Sequence, residues 1–363
     1  MIDEVGVHDP GTAPGQDPSR GPVTDRDRAL GILRRHGWTT VSFQLLEPEF
    51  RYWFCDDDAF VAYVDTGSAW VAGGAPVAAE HRLVSVANAF VDAARVHRRR
   101  ACFFACEQRF VTAVGWSTLA IGEQPVWRAG QWEGVMRSAS SLRYQLRRAA
   151  AKGVTVRRLT TGELDQHRVA IHNLALEWLA ARKMAPMGFL VQLEPISFPD
   201  ERVMIVAMQG ARLVGFLSAI PVYSRGRWFI EDVLRTSDAP NGTPELLIDA
   251  AMRDPQIAQH DTVTLGLAPL AGAVPALLRF ARVISTPLYD FRGLGTFKRK
   301  LRPHAWEPVY LCAPTWRWRA LTDSLSAFAG GSIVSFAART LLQRRPRWLL
   351  PARSTVDAEP DRG

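Results

Sequence analysis

Residues 228–247 read WFIEDVLRTSDAPNGTPELL, and this stretch decides how the second half of the chain folds. Its apolar first third predicts a strand that ends in acidic side chains and an arginine. Asn241 and Gly242 form a turn signal, Thr243 is suited to cap a helix, and Pro244 is suited to the first helical turn. The free backbone N–H groups of a helix start attract an anion or a developing oxyanion. We therefore predict a strand, a turn and a helix around an anion site, with an internal ion pair between Asp232 and Arg235 as the alternative.

The rest of the chain alternates between strand and helix patterns, which is typical of an α/β (α+β) fold. The predicted strands cover 60–64, 69–72, 102–105, 203–208, 213–222, 228–234, 262–267 and 309–312, and the predicted helices cover 83–96, 140–153, 163–182, 244–253 and 272–283. A chain of 363 residues can bury two cores. We predict a disordered leader (1–27), two domains of similar texture (28–160 and 161–320) and a C-terminal region (321–363).

A cationic helix is predicted over 140–153, which reads SSLRYQLRRAAAKG, with a serine cap and a terminating glycine. Arg143 stands four residues before Arg147, and Arg148 stands four residues before Lys152. Like charges at this spacing repel each other by a few tenths of a kcal/mol. An anion lying against the helix would relieve this repulsion, and a solvated cationic face is the alternative.

A third block, residues 288–303, interleaves aromatic and cationic side chains in the sequence LYDFRGLGTFKRKLRP. Cations hold phosphates, and rings and guanidinium planes stack on bases, as the end of a single-stranded RNA requires. Lys298, Lys300 and Arg302 are therefore candidates for binding phosphate. A basic surface loop is the alternative interpretation.

The composition narrows the range of functions. The formal charge of +8 favours an anionic partner. The four cysteines form no CxxC pair and have no histidine at ligand spacing, so we expect no metal. No run approaches the roughly 20 apolar residues of a membrane span, and we expect a cytoplasmic protein.

Apolar residues between 325 and 342 at helical spacing, followed by arginines, predict an amphipathic helix that either docks on its own domain or lies on the inner membrane face.

These blocks together resemble the catalytic domain of the aminoacyl-phosphatidylglycerol synthases, the multiple peptide resistance family. The matching motifs occur in the family's order between Ala72 and Cys312: 121–124 (IGEQ), the 142–153 helix, 182–184 (RKM), Asp232-x-x-Arg235, 241–243 (NGT), 265–270 (LGLAPL), 291–294 (FRGL) and 297–300 (FKRK). The resemblance implies tandem GNAT-like (acyltransferase) domains, with aminoacyl-tRNA as co-substrate and no cofactor or DNA. It also implies that donor and acceptor approach from different sides. Because the sequence has no membrane flippase, a small natural-product intermediate and a phospholipid are both kept as acceptors.

The resemblance also suggests roles for individual residues. Asp232 would orient or deprotonate the nucleophile or bind the donor's α-ammonium group, and Arg235 would organise that acid or bind an acceptor phosphate. The loop 241–243 (Asn241, Gly242 and Thr243) would bind the oxyanion or the acceptor. The cations expected to contact tRNA or phosphate are Arg143, Arg147, Lys298, Lys300 and Arg302.

Two other functions fit part of the sequence. An acyl-CoA-dependent transferase of the same fold would carry a Q/R-x-x-G-x-G/A loop, which Gly293-x-Gly295 matches only weakly. A non-catalytic protein that binds RNA or a membrane surface would need only the basic charge and the C-terminal region. Transfer from either charged tRNA or acyl-CoA separates these alternatives.

Overall fold

The structure is a computed structural model that describes residues 24–181, 188–190, 193–272, 274–275 and 291–330. Its helices are α1 (Asp25–His36), α2 (Leu83–Val96), α3 (Gln108–Val114), α4 (Trp132–Ser138), α5 (Ser140–Ala151), α6 (Leu164–Ala180), α7 (Thr243–Arg253), α8 (Pro255–Ala258), α9 (Phe291–Lys300) and α10 (Arg317–Phe328). Its strands are β1 (Arg51–Asp56), β2 (Ala59–Asp65), β3 (Ala69–Gly73), β4 (Arg100–Cys106), β5 (Ser117–Arg128), β6 (Val154–Leu159), β7 (Val203–Gln209), β8 (Arg212–Val222), β9 (Arg227–Arg235), β10 (Thr262–Thr264), β11 (Ala268–Pro269) and β12 (Ala305–Ala313).

All the strands belong to one continuous sheet, and the expected α/β class is confirmed. Their order is β1-β2-β3-β4-β12-β5-β10-β9-β8-β7-β6, and β11 pairs with β5 beside this path. The β3–β4 and β9–β10 pairs are parallel, and the other pairs are antiparallel. The sheet therefore joins two halves edge to edge, through the antiparallel pairing of β5 with β10.

The boundary predicted between residues 160 and 161 does not coincide with a division of the sheet. Helix α5 and strand β6 both precede residue 160. Because α5 packs against α7 and β6 pairs with β7, these two elements nevertheless belong to the second half. The strand predicted over 309–312 belongs to β12, which lies between β4 and β5, within the first half of the sheet. Tertiary strand pairing, which local propensity does not encode, sets this exchange of elements.

Helices cover both faces of each half. In the second half, α4, α5 and α7 pack on one face of the sheet and α6 packs on the other. In the first half, α2 and α3 cover one face, and α1 and α10 cover the opposite face. The predicted helix Leu83–Val96 is confirmed residue for residue, because its buried apolar side chains recur at helical spacing.

Strands β9 and β10 separate after a short parallel contact. Their pairing runs from Thr262 opposite Arg227 to Thr264 opposite Phe229. Strand β9 continues for six more residues, and among the described residues only β8 pairs with that part of it. The strand predicted over 262–267 ends early because Gly266 adopts φ +66°, which breaks the extended conformation. No strand pairing joins 230–235 to 265–267 in the described part of the chain, and we call this interruption of the sheet the strand gap.

The chain ends differ from the expectations in part. Helix α1 begins at Asp25 with a capping box between Thr24 and Asp27, a signal that the sequence analysis did not use. Helix α10 ends at Phe328, whose ring contacts Phe104 and Phe189, so it docks on its own domain. The leader predicted over 1–27 is wrong for its last residues, because α1 already covers 25–27. Residues 1–23 of that leader, most of the helix predicted over 272–283, and the tail from residue 331 lie outside the described residues. None of the helices that are described is long and apolar enough to span a membrane.

Candidate active site

A β-bulge in β9 turns two neighbouring acids toward the same side of the sheet. Ser218 of β8 lies opposite Asp232, and Ala219 lies opposite Ile230, which leaves Glu231 as the extra residue. Ile230 and Val233 pack with the α5 and α7 core, whereas Leu234 packs with the α6 core. The two acids between Ile230 and Val233 therefore lie on the α6 side.

Glu231 and Asp232 belong to a buried group of charges that joins the two halves. The fully buried Arg202 donates to Glu231 Oε2 at 2.5 Å and to Ser218 Oγ at 2.9 Å. Its guanidinium lies 3.6 Å from Oε1 of Glu47, a residue of the segment before β1. We call Glu47, Arg202, Glu231 and Asp232 the acid cluster.

Burial and neighbouring carboxylates favour the neutral form of two of these acids. Burial, followed by the charge of Glu231, raises the pKa of Asp232 well above its usual range. The same two causes raise the pKa of Glu47 to about 7. The Asp232 side chain is half-buried, and no described residue forms a hydrogen bond or an ion pair with it. A carboxyl group whose pKa is raised in this way is a candidate to exchange a proton with a reactant.

The opposite side of β9 borders an open cleft of about 330 Å³. Arg235, at the end of β9, lines it together with Arg148 of α5 and Lys300 of α9. Lys300 Nζ lies 3.2 Å from the buried Glu245 Oε1, which leaves a net positive charge on the wall. We call this space the cationic cleft, and its other lining residues are Gln145, Asn241, Gly242, Pro244 and Phe297.

Gly242 allows α5 and the start of α7 to meet at the cleft. Its φ of +99° belongs to the left-handed region, and a Cβ there would lie 2.1 Å from the carbonyl oxygen of Gln145. Gly242 is also the N-cap of α7, whereas the predicted capping residue Thr243 is the first helical residue. The Thr243 hydroxyl donates backwards to the Pro240 carbonyl at 2.7 Å. Helix α5 differs similarly: its N-cap is Ala139 and not a serine.

The structure brings together only some of the predicted phosphate-binding residues. Arg143 donates to the carbonyl groups of Met136 and Arg137, and Arg302 donates to the carbonyl of Ser138 at 2.9 Å. Arg147 is exposed outside the cleft. These three residues therefore lie away from the cationic cleft.

Lys298 and Lys300 differ sharply although they are two residues apart. Lys300 lines the cleft, whereas Lys298 is 4% exposed and donates to three backbone carbonyl groups. A phosphate contact by Lys298 would require breaking those hydrogen bonds. Arg148 was not among the candidates, although it lies on the predicted helix one turn after Gln145. Arg148 could have been selected by asking which face of the predicted helix carries Gln145, because that face meets the turn at Gly242.

The structure also separates Asp232 from Arg235. No ion pair joins them, and the pKa of Asp232 is set by the acid cluster, so the predicted internal pair is absent from this part of the chain. Leu234 faces the α6 core, and the alternation of side chains along a strand places Arg235 on the other face. This position suits the predicted role of Arg235 in phosphate binding better than a role in organising Asp232.

The two joined halves of the sheet, the bulged strand that carries the acid cluster, and the cationic cleft at a helix start suit a transferase. A family model described as "Phosphatidylglycerol lysyltransferase, C-terminal" matches residues 31–313. The chain belongs to this family.

Two curated relatives are similar to the chain in sequence. An uncharacterized protein of Corynebacterium glutamicum is 25% identical over 321 residues, which cover 81% of this chain and 40% of that protein. The phosphatidylglycerol lysyltransferase of Bacillus subtilis is 23% identical over 305 residues, which cover 80% of this chain and 35% of that protein. The match thus spans well under half the length of either relative.

Two solved structures share the fold. The C-terminal domain of a putative lysylphosphatidylglycerol synthetase from Agrobacterium fabrum has a TM-score of 0.71 and 23% identity, covering 85% of this chain and 98% of that one. The L-PGS structure from Bacillus licheniformis has a TM-score of 0.71 and 20% identity, covering 89% of this chain and 99% of that one. The architecture described above is therefore that of the lysylphosphatidylglycerol synthetase C-terminal domain.

Proposed function

We propose that this chain transfers an aminoacyl group from a charged tRNA to the hydroxyl or amine of an acceptor. Membership of the phosphatidylglycerol lysyltransferase family supports aminoacyl transfer as the reaction. The cationic cleft supports a phosphate-bearing donor, because Arg148, Arg235 and Lys300 converge there beside the N-terminus of α7.

The observation that carries the proposal is the placement of cations and acid on opposite sides of β9. Arg235 borders the cationic cleft, whereas Asp232 lies in the acid cluster on the α6 side. The phosphates of the tRNA end would bind on the first side, and the aminoacyl ester would reach the second side through the strand gap. The acceptor would then approach Asp232 without crossing the tRNA.

The chemistry that this arrangement can perform is the exchange of one acyl ester for another ester or an amide. The acceptor oxygen or nitrogen attacks the ester carbonyl carbon, a tetrahedral oxyanion forms, and the bond to the ribose oxygen of tRNA breaks. One oxygen of the protonated Asp232 carboxyl group accepts the acceptor's proton while the other donates its proton to the leaving ribose oxygen. The donor ester is already activated, so the balanced reaction requires no cofactor.

The family name and the Bacillus subtilis relative make phosphatidylglycerol the first acceptor to test. A water-soluble hydroxyl or amine compound is the second, and the two share the reacting group. Charged tRNA is available in the cytoplasm, which is where we place the protein, with contact at the inner membrane face if the acceptor is a lipid.

The test supplies the purified full chain with a pool of tRNAs charged with radiolabelled amino acids, together with phosphatidylglycerol vesicles and a cell extract. We expect label to leave tRNA faster than by spontaneous hydrolysis and to enter either the lipid phase or a water-soluble product. A parallel reaction contains labelled acyl-CoA in place of charged tRNA. Transfer from acyl-CoA alone, or release from tRNA at the uncatalysed rate, would overturn the proposal.

A further inference from the structure

Lys298 is a buried cation whose hydrogen-bonding capacity is filled by one short segment of the chain. Its Nζ donates to the carbonyl oxygens of Leu265 at 2.7 Å, Gly266 at 2.9 Å and Leu267 at 2.9 Å. An ammonium group has three N–H donors, and each of them has one acceptor here. Met in place of Lys298 would leave three carbonyl groups without this donor.

The geometry of the segment explains why it needs a cation. Successive carbonyl groups of a regular strand point in alternating directions, so three consecutive ones cannot converge on one atom. Here Gly266 turns the chain with φ +66°, and the Phe229 ring lies 2.5 Å from where a Cβ of residue 266 would be. The Gly266 N–H donates to Thr264 Oγ1 at 3.0 Å, which further fixes the turn. The three convergent carbonyl groups are the result, and Lys298 compensates them.

Lys298 also connects this segment to the wall of the cationic cleft. It belongs to α9, whose Phe297 and Lys300 line the cleft on either side of it in sequence. The residue after α9, Leu301, is anchored by its carbonyl, which accepts a hydrogen bond from Trp127 Nε1 at 2.9 Å. Movement of α9 would therefore displace both the cleft wall and the segment 265–267.

We propose that Lys298 is a positioning residue that binds the 265–267 carbonyl groups and thereby holds the strand gap open beside β9. It binds no phosphate itself, because its donors are occupied. Its kinetic consequence rests on the proposed function, since the ester would pass through this gap. Its structural consequence does not.

Lysine suits this position better than other cations. The compact ammonium group directs its donors from a single nitrogen atom, whereas the flat guanidinium of arginine spreads its donors in one plane. The burial that surrounds the group lowers the pKa of Lys298 to about 7, while the three carbonyl groups favour the charged form.

The experiment compares Lys298→Met with Arg299→Met in the full chain. Arg299 is the next residue of α9, is 54% exposed and contacts no carbonyl of 265–267, so its substitution removes the same charge without the buried contacts. Hydrogen exchange measured by mass spectrometry follows amides 262–270 and, as an internal reference, those of β7 and β8. We expect K298M to lose at least tenfold protection in 262–270, with protection of the reference strands unchanged, and R299M to match the wild type.

Transfer kinetics provide the second measurement. We expect K298M to lower kcat at least tenfold while KM for charged tRNA changes less than threefold, because the gap is disturbed and most of the cleft remains. Lys298→Gln, which keeps two amide donors, should recover part of both losses. If neither the wild type nor any variant transfers an aminoacyl group from tRNA, the proposed function fails. The hydrogen-exchange result then still decides the structural role of Lys298.

Two structural results would overturn the inference. One is equal protection of 262–270 in K298M and R299M. The other is global loss of folding in both K298M and K298Q while R299M folds, since Lys298 would then support the whole domain and not the gap. Unchanged kcat in K298M, with wild-type transfer established, would likewise remove its positioning role.

Discussion

The two sides of strand β9 create opposite electrostatic environments within four residues. On the α6 side, Asp232 lies among other carboxylates around the buried Arg202, and its pKa is raised. On the other side, Arg235 borders an open cleft with two further cations. The difference arises because Glu47, from the first half, covers the acid side, whereas helix ends surround the cleft. A single strand therefore carries an acid with a raised pKa on one side and borders a cationic cleft on the other.

The largest effect is expected from Asp232→Asn, which removes the proton relay from the acid side. We expect kcat for aminoacyl transfer to fall roughly 10²-fold to 10³-fold, the range of general acid–base catalysis. Stability should hold, because burial and the charge of Glu231 already disfavour the charged form of the carboxyl group that the amide replaces. Transfer assays and urea unfolding measure the two quantities. Undiminished turnover in the folded variant would exclude Asp232 from the reaction.

Gly242→Ala tests the close backbone contact between α5 and the start of α7 on the cleft side of β9. The variant would force a Cβ against the carbonyl of Gln145 at a φ of +99°, and we expect it to destabilise the fold by about 2–4 kcal/mol. Gly153→Ala is the matched control, since Gly153 has φ +79° but open space around its Cβ position. Denaturant unfolding of both variants isolates the contact. Equal losses would show that α5 and α7 do not require this close approach.

Removal of the cleft cations should weaken binding without changing the acid side. We expect each of Arg148→Gln, Arg235→Gln and Lys300→Gln to raise Kd for charged tRNA about tenfold at low salt, or about 1.4 kcal/mol. Each should also reduce the slope of log K against log salt by about 0.7. Arg147→Gln, on the same helix but outside the cleft, serves as the control. A loss of affinity in R147Q equal to that in R148Q would contradict the cleft assignment.

The last prediction concerns the pH dependence of the acid side. The pKa of Glu47 is raised from 4.5 to about 7, so between these values the folded protein binds a proton that the unfolded chain has released. Stability should therefore fall as pH rises through this window, by roughly 1–3 kcal/mol. Glu47→Gln cannot release this proton, so its unfolding free energy should decline less between pH 5 and pH 8. Parallel pH profiles of the two proteins would contradict the shift.

The sequence predicted the positions of helices and strands better than it predicted which strands pair and which residues cap the helices. Apolar periodicity located α2 and the strands β7 to β9 within one or two residues, because those patterns are local. The capping roles of Ser140 and Thr243 were wrong, since Ala139 and Gly242 precede the helices instead. The insertion of β12 between β4 and β5 depends on pairing across about 200 residues, and no local signal contains it.

The same distinction between local sequence and tertiary structure applies to the candidate site. Residue order alone indicated the family, the start of α7 to within one residue, and the presence of acid and arginine at the end of β9. Only the tertiary structure decided which way the side chains face: the bulge at Glu231, the cover supplied by Glu47, and the inward orientation of Lys298. The physical reason is that a motif fixes which groups are near in the chain, whereas burial and pairing by distant residues fix their charge and their access.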